Sequence, residues 1–354
     1  MADHHPMNHR APAAEHRVAV LSAGSWGTAF ATVLTDAGNE VVLHARRAEV
    51  ADAINVRQEN PDYLPGAHLA HQVTATTDPA EALAGSDYAV ISIPAQSLRT
   101  NLIRWAPLIE PQTVIVSLMK GIEVGTGLRM SEVITEVTGV APKRIVVLSG
   151  PNLAEEIAAR RPAASVIASS HEDTATAFQT ACMTPSFRPY TNTDIVGCEL
   201  GGAVKNVIAL SIGLASGMEL GDNAGALLMT RGLAETIRLG QALGAGPQTL
   251  AGLAGLGDLA TTCSSPQSRN RTFGEHLGRG VTLEQATTAT RQTAEGVKSS
   301  ESILELARRH GVEMPITEVV VDVVRGRISV AEAAVRLMSR APKSERSRAK
   351  GFSQ

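Results

Sequence analysis

The sequence predicts an α/β fold in two parts, a mostly parallel sheet with flanking helices followed by an all-helical region. Three observations carry this. A strand–turn–helix–strand unit runs from Arg17 to His44, about the length a right-handed crossover between parallel strands needs. Four later apolar runs are continuous rather than alternating, as in strands buried on both faces. Beyond about residue 193 strand signals fade and helical periodicity dominates.

The elements follow in order. Arg17–Leu21 is a short apolar strand, Trp26–Ala37 a helix stopped by Gly38, and Glu40–His44 the second strand. Further strands are expected at Tyr88–Ile93, Thr113–Ser117, Arg144–Leu148 and Ala164–Ala168. Helices are expected at Gly197–Ser216, Ala224–Leu243, Leu283–Thr288, Ser299–His310, Met314–Arg325 and Val330–Leu337. The division is a dinucleotide-binding domain over 17–193 and a helical substrate domain over 194–338, with a cleft between them as the expected site. Residues 1–16 and 339–354 read as flexible extensions, the first containing several histidines and the second Lys, Arg and Ser.

Composition narrows the function. Of 354 residues, 44% are hydrophobic and 19% charged, which describes a globular chain and excludes a disordered one. A net charge of -3 gives no electrostatic reason to expect nucleic acid. Cys182, Cys198 and Cys263 lack metal-ligand spacing and suit a reducing cytoplasm. No metal site is expected, and no apolar signal segment precedes the first strand. Leu200–Met218 is long enough to span a membrane, but Lys205 and Asn206 would lie inside the span and no aromatic belt flanks it. A buried core helix is expected instead.

Ser22-Ala23-Gly24-Ser25-Trp26-Gly27 occupies the frame G-x-G-x-x-G between a strand and a helix. This placement makes the first part Rossmann-like. Gly24 would admit a pyrophosphate close to the backbone, Gly27 would let helix and strand pack closely, and the helix N-terminus would hold the phosphates. Ser22 replaces the first glycine, and would cost about 1 kcal/mol if the turn needs a positive φ. The second strand runs into His44-Ala45-Arg46-Arg47, with no carboxylate for a ribose hydroxyl. Two guanidinium groups suit a 2′-phosphate, so NADPH/NADP is favoured over NADH/NAD.

Lys205 is the one charged residue of Leu200–Met218. Burial there would lower its pKa and suit it to proton transfer near neutral pH. Lys120 follows a strand at the carboxyl edge of the sheet, where ligands bind. Asp258 ends a glycine-dense loop and could orient Lys205 or a substrate hydroxyl, or simply form an Asx turn or helix cap, with Thr261 and Thr262 as nearby hydroxyls. Ser268-Arg269-Asn270-Arg271 offers donors for a phosphate, or simply caps a helix. Gly150-Pro151-Asn152 marks a strand-to-helix turn with Pro151 in the first helical turn, and Glu155-Glu156 complements the helix dipole.

Six motifs then occur in order: VLSAGSWGTA at 20–29, SLMKGIE at 117–123, LSGPNLAEEI at 148–157, GGAVKNVIAL at 201–210, GLGDLATTC at 255–263 and SRNR at 268–271. Together they resemble the bacterial NAD(P)-dependent glycerol-3-phosphate dehydrogenases, from about Arg17 to Leu337. The resemblance implies reversible reduction of dihydroxyacetone phosphate to sn-glycerol 3-phosphate, supplying glycerophospholipid synthesis. It implies that Lys205 is the proton acceptor in alcohol oxidation. Cofactor contacts fall on Gly24, Ser25, Trp26, Gly27, Arg46, Arg47, Lys120, Ala154, Arg269, Thr293 and Glu295. Substrate contacts fall on Lys120, Gly150, Asn152, Lys205, Asp258, Ser268, Arg269 and Asn270. Asn152 stands where many members carry Ser or Thr. A homodimer is also implied. Two alternatives are another hydroxyacid dehydrogenase of the same architecture and a non-catalytic NADPH-sensing protein, the latter suggested only by Ser22.

Overall fold

A computed structural model of the chain describes residues 16–289 and 295–338. Ten strands are present among them: β1 (Arg17–Leu21), β2 (Glu40–His44), β3 (Glu59–Asn60), β4 (Leu64–His68), β5 (Val73–Thr76), β6 (Tyr88–Ile91), β7 (Val114–Ser117), β8 (Ile145–Ser149), β9 (Ala163–Ala168) and β10 (Phe187–Asn192). Eight form one sheet in the order β10-β9-β8-β7-β6-β1-β2-β5, and β3 and β4 form a separate antiparallel hairpin. Within the large sheet only β8 and β9 pair antiparallel. The winding direction reverses between β1 and β6, which opens a crevice at the carboxyl ends of these strands.

Both faces of the sheet are covered. Val18 and Val20 of β1 join an apolar cluster with Phe30 and Phe178, while Ala19 and Leu21 point into a second cluster with Leu98 and Trp105. Double burial explains why these strands read as continuous apolar runs. The edge strands β5 and β10 escaped that pattern. In β10, Phe187 and Pro189 are buried while Arg188 and Tyr190 are exposed, an alternation suited to a strand with one wet face.

The last strand ends at Asn192, and helices follow. The central one, Ile195–Gly217, starts at Asp194, whose carboxylate accepts from the Gly197 N–H at 2.8 Å. Its length and apolarity would allow a membrane span, but it is buried inside the protein as a core helix. It packs on the helix Arg269–Gly278 through glycines on both partners. A Cβ on Gly213 would sit 2.0 Å from the Arg271 carbonyl oxygen, and one on Gly274 would sit 2.2 Å from that of Leu210. Gly217 and Gly278 make equivalent approaches one turn on. Backbones that close exclude any side chain at these four positions.

Three expectations need correction. The helix expected from Ser299 begins four residues earlier and spans Glu295–Arg309. Pro151 lies ahead of the helix Ala154–Ala158, because Leu153 is its cap. Ser22 carries no strain, because its backbone is not in the left-handed region, and its Oγ accepts from the Gly24 N–H at 3.1 Å. Residues 1–15, 339–354 and Thr293 lie outside the described residues.

Candidate active site

The site forms where the carboxyl edge of the sheet meets the central helix. Lys205 is buried on that helix, and its ammonium donates to Asp258 Oδ1 and to Thr262 Oγ1 at 2.7 Å. Lys120, three residues beyond β7, donates from Nζ to Asp258 Oδ2 at 2.7 Å and to the Gly150 carbonyl at 2.9 Å. One carboxylate, 1% exposed, therefore bridges two ammonium groups. Burial lowers the Lys205 pKa to about 8; Asp258 opposes that fall and Lys120 adds to it.

Local backbone geometry makes this convergence feasible. Asp258 follows a single π-helical turn, Leu253–Gly257, which presses on the central helix. A Cβ on Gly201 would lie 2.4 Å from the Ala254 carbonyl oxygen. A Cβ on Gly202 would lie 2.9 Å from Ser149 Oγ and 3.1 Å from Lys120 Cγ, so the bare backbone at Gly202 is what the lysine stem crosses. Gly150 adopts φ +144, and its missing side chain leaves room for Ser165. These packing roles of Gly201 and Gly202 are invisible to motif reasoning.

Asn206 and Asn270 form a second buried link. Asn270 Nδ2 donates to Asn206 Oδ1 at 2.9 Å, and Asn270 Oδ1 accepts from the Gly296 N–H at 2.9 Å. The Asn270 amide thus ties the central helix to the start of the helix Glu295–Arg309. Ser268 caps the helix that Arg269 begins, accepting from the Arg271 N–H at 3.3 Å, while Arg269 is exposed. Asn152 Oδ1 accepts from Ser165 Oγ at 2.5 Å, and its buried Nδ2 has no partner among the described residues.

The dinucleotide loop lies between β1 and the helix Ser25–Asp36. Gly24 is its N-cap, with no side-chain cap and no acidic residue in the first turn. The helix therefore presents its first N–H groups and positive end without internal competition. A Cβ on Gly27 would sit 2.3 Å from the Ser22 carbonyl oxygen, so glycine is required for the close helix–strand approach. Trp26 Nε1 is buried without a partner among the described residues, and Ala154 opens a short helix after Asn152. These features fit the diphosphate of a dinucleotide. Arg46 and Arg47 follow β2 and are exposed; Arg47 pairs with Asp62. The Glu295 side chain is not described.

A second cleft, lined by Arg129, Glu132, Asp194 and Thr249 among others, lies at the opposite end of β8. Its charges are already committed: Arg129 pairs with Glu132 and Glu199, and Asp194 accepts from Gly197 and Gly246. The convergent donors are at Lys205.

Comparison with known proteins identifies the family. Residues 17–175 match the family model for the NAD-dependent glycerol-3-phosphate dehydrogenase N-terminus, and residues 194–335 match that for its C-terminus. The chain is 64% identical to glycerol-3-phosphate dehydrogenase [NAD(P)+] of Thermobifida fusca, over 93% of this chain and 98% of that protein. It is 63% identical to the protein of the same description in Streptomyces griseus, with the same coverage. The crystal structure of the Coxiella burnetii glycerol-3-phosphate dehydrogenase superposes with a TM-score of 0.87 at 38% identity, covering 92% of this chain and 99% of that one. A ketopantoate reductase from Ralstonia eutropha reaches a TM-score of 0.56 at 16% identity, covering 90% of this chain and 99% of that one, and so shares the fold alone.

Proposed function

Since the chain belongs to the NAD-dependent glycerol-3-phosphate dehydrogenase family, we propose that Lys205, Asp258, Thr262 and Lys120 carry its reaction. The enzyme is an NAD(P)-dependent oxidoreductase that interconverts dihydroxyacetone phosphate and sn-glycerol 3-phosphate. The observation behind the site assignment is the buried Lys205 ammonium held by one carboxylate and one hydroxyl.

A nicotinamide supplies or accepts the hydride when bound. The chain does the rest. An ammonium has three protons, and Asp258 and Thr262 engage two at Lys205. The third is left for the carbonyl oxygen of the substrate, where negative charge develops during reduction. In the reverse direction, neutral Lys205 takes the alcohol proton. Lys120 anchors the far oxygen of Asp258 and places a second positive charge beside the reacting centre.

Gly150 and Asn152 would hold the substrate backbone, the unpartnered Asn152 amide serving as a donor. Ser268, Arg269 and Asn270 would bracket the phosphate, with Arg269 as the guanidinium. Gly24, Ser25, Trp26 and Gly27 would cradle the cofactor diphosphate, with Ala154, Lys120, Arg269, Thr293 and Glu295 around the rest of it. Arg46 and Arg47 would meet a 2′-phosphate. The product would feed glycerophospholipid synthesis, in the cytoplasm, from a homodimer.

The test is oxidation of NADPH and of NADH, each with dihydroxyacetone phosphate, with ketopantoate and 6-phosphogluconate as controls. Turnover of the triose phosphate alone is expected. Lys205→Ala should abolish turnover while cofactor binding persists. Wild-type rates in that variant, or cofactor binding by the wild type without any turnover, would refute the assignment.

A further inference from the structure

A carboxylate that motif spacing does not reveal lies beside the arginines proposed to meet the adenosine end of the cofactor. The segment His44–Arg47 after β2 holds no acid for a ribose hydroxyl. The fold supplies one from elsewhere. Asp62 lies in the turn between β3 and β4, and its carboxylate pairs with the Arg47 guanidinium. The same guanidinium lies 5.8 Å from the centre of the Tyr63 ring.

The hairpin is fastened to the dinucleotide loop itself. Asn60, 1% exposed, donates from Nδ2 to the Ala23 carbonyl at 2.9 Å and to Thr28 Oγ1 at 2.8 Å. Ala23 belongs to the loop and Thr28 to the helix that would hold the diphosphate. Asp62 is therefore held on the side of the site where an adenosine ribose, running from that diphosphate toward the end of β2, would lie.

We propose that Asp62 is a specificity-determining residue, accepting a hydrogen bond from the ribose 2′-hydroxyl of NADH while Arg47 meets the 2′-phosphate of NADPH. The pair then reads two cofactors with one arrangement. With NADH, the carboxylate stays paired with Arg47 and accepts a charge-assisted hydrogen bond from the hydroxyl. With NADPH, the guanidinium turns from Asp62 to the phosphate, and the neighbouring carboxylate repels that phosphate. Asp62 thus favours NADH and restrains the preference for NADPH that two arginines alone would give. The inference rests on the cofactor reading above.

The experiment is calorimetric titration of the wild type and of Asp62→Asn and Arg47→Ala with NADPH, NADH and the fragment 2′,5′-ADP. Wild-type binding of both dinucleotides is the starting condition; if neither binds, the cofactor reading itself fails. Asp62→Asn should raise the Kd for NADH by roughly 3–10-fold, the loss of one half-exposed charge-assisted bond. It should leave the Kd values for NADPH and 2′,5′-ADP unchanged or lower them. Arg47→Ala should weaken NADPH and 2′,5′-ADP by roughly tenfold or more and NADH much less. Equal shifts for both dinucleotides in Asp62→Asn, or no shift for either, would overturn the role of Asp62 while leaving the dehydrogenase assignment intact.

Discussion

Replacing Asp258 by Asn tests the heart of the site. The carboxylate is 1% exposed and bridges Lys205 and Lys120, the latter at 2.7 Å. The amide is nearly isosteric and neutral. The buried Lys205 ammonium and the partly buried Lys120 ammonium would then face each other without the charge that holds them together. Breaking a buried pair costs about 3–5 kcal/mol. Lys120 is partly solvated, so the lower end applies to the fold. If the same loss falls on the transition state, ketone reduction slows by roughly two orders of magnitude or more. The pH dependence carries the sharper signature. Burial and Lys120 lower the Lys205 pKa to about 8, and Asp258 opposes them. Without that opposition the pKa falls further. In the proposed mechanism reduction requires protonated Lys205, so its rate should decline as pH rises through about 8 in the wild type and at lower pH in the variant. Alcohol oxidation requires the neutral amine and moves in the opposite sense. Initial rates in both directions, with saturating cofactor across the neutral and alkaline range, give both limbs. A variant with rates within about threefold of wild type, and with both limbs unmoved, would show that Asp258 does not govern Lys205.

Gly202→Ala should lower the reduction rate by roughly tenfold or more and shift the Lys205 limb upward, because the new methyl displaces the Lys120 stem from 3.1 Å and frees Asp258 for Lys205; a lowered Tm with unchanged pH limbs would contradict it. Glu235 accepts from the N–H groups of Ile316 and Thr317, and burial raises its carboxyl from 4.5 to about 7. The folded state holds a proton there that the unfolded chain releases, so stability should fall by up to about 3 kcal/mol as pH rises between those values. Thermal unfolding at a series of pH values should show that slope in wild type and a flatter one in Glu235→Gln. Ser22→Gly should leave NADPH affinity within about threefold, since Ser22 has no left-handed backbone to relieve; a large loss in a binding titration would assign the serine a direct contact.

Much of the site could be read from the chain because its chemistry is locally encoded. Lys205 stands out as a single charge in an apolar helix, and the glycine loop is a contiguous strand–turn–helix signal. Asp258 was suspected as the partner of Lys205, and the hydrogen bond between them is present. Arg46 and Arg47 are legible from their position after β2, whereas Asp62 is not, because nothing in a turn fifteen residues away says which arginine it meets. Asn270 looked like a ligand donor in SRNR. Its amide oxygen and one of its N–H groups also meet Gly296 and Asn206, contacts that exist only once three helices have packed.

The order of apolar runs, the turn glycines and the solitary lysine by themselves determined the α/β start, the helical end and the centre of the proposed site, since each depends on neighbours close in sequence. Tertiary structure alone decided which groups share a proton or a charge. Lys120, Gly150, Lys205 and Asp258 come from four separate segments, and their meeting depends on the close backbone approach at Gly201 and on the bare Gly202 that the Lys120 stem crosses. Such approaches are fixed by packing across the whole core, so no local pattern announces them.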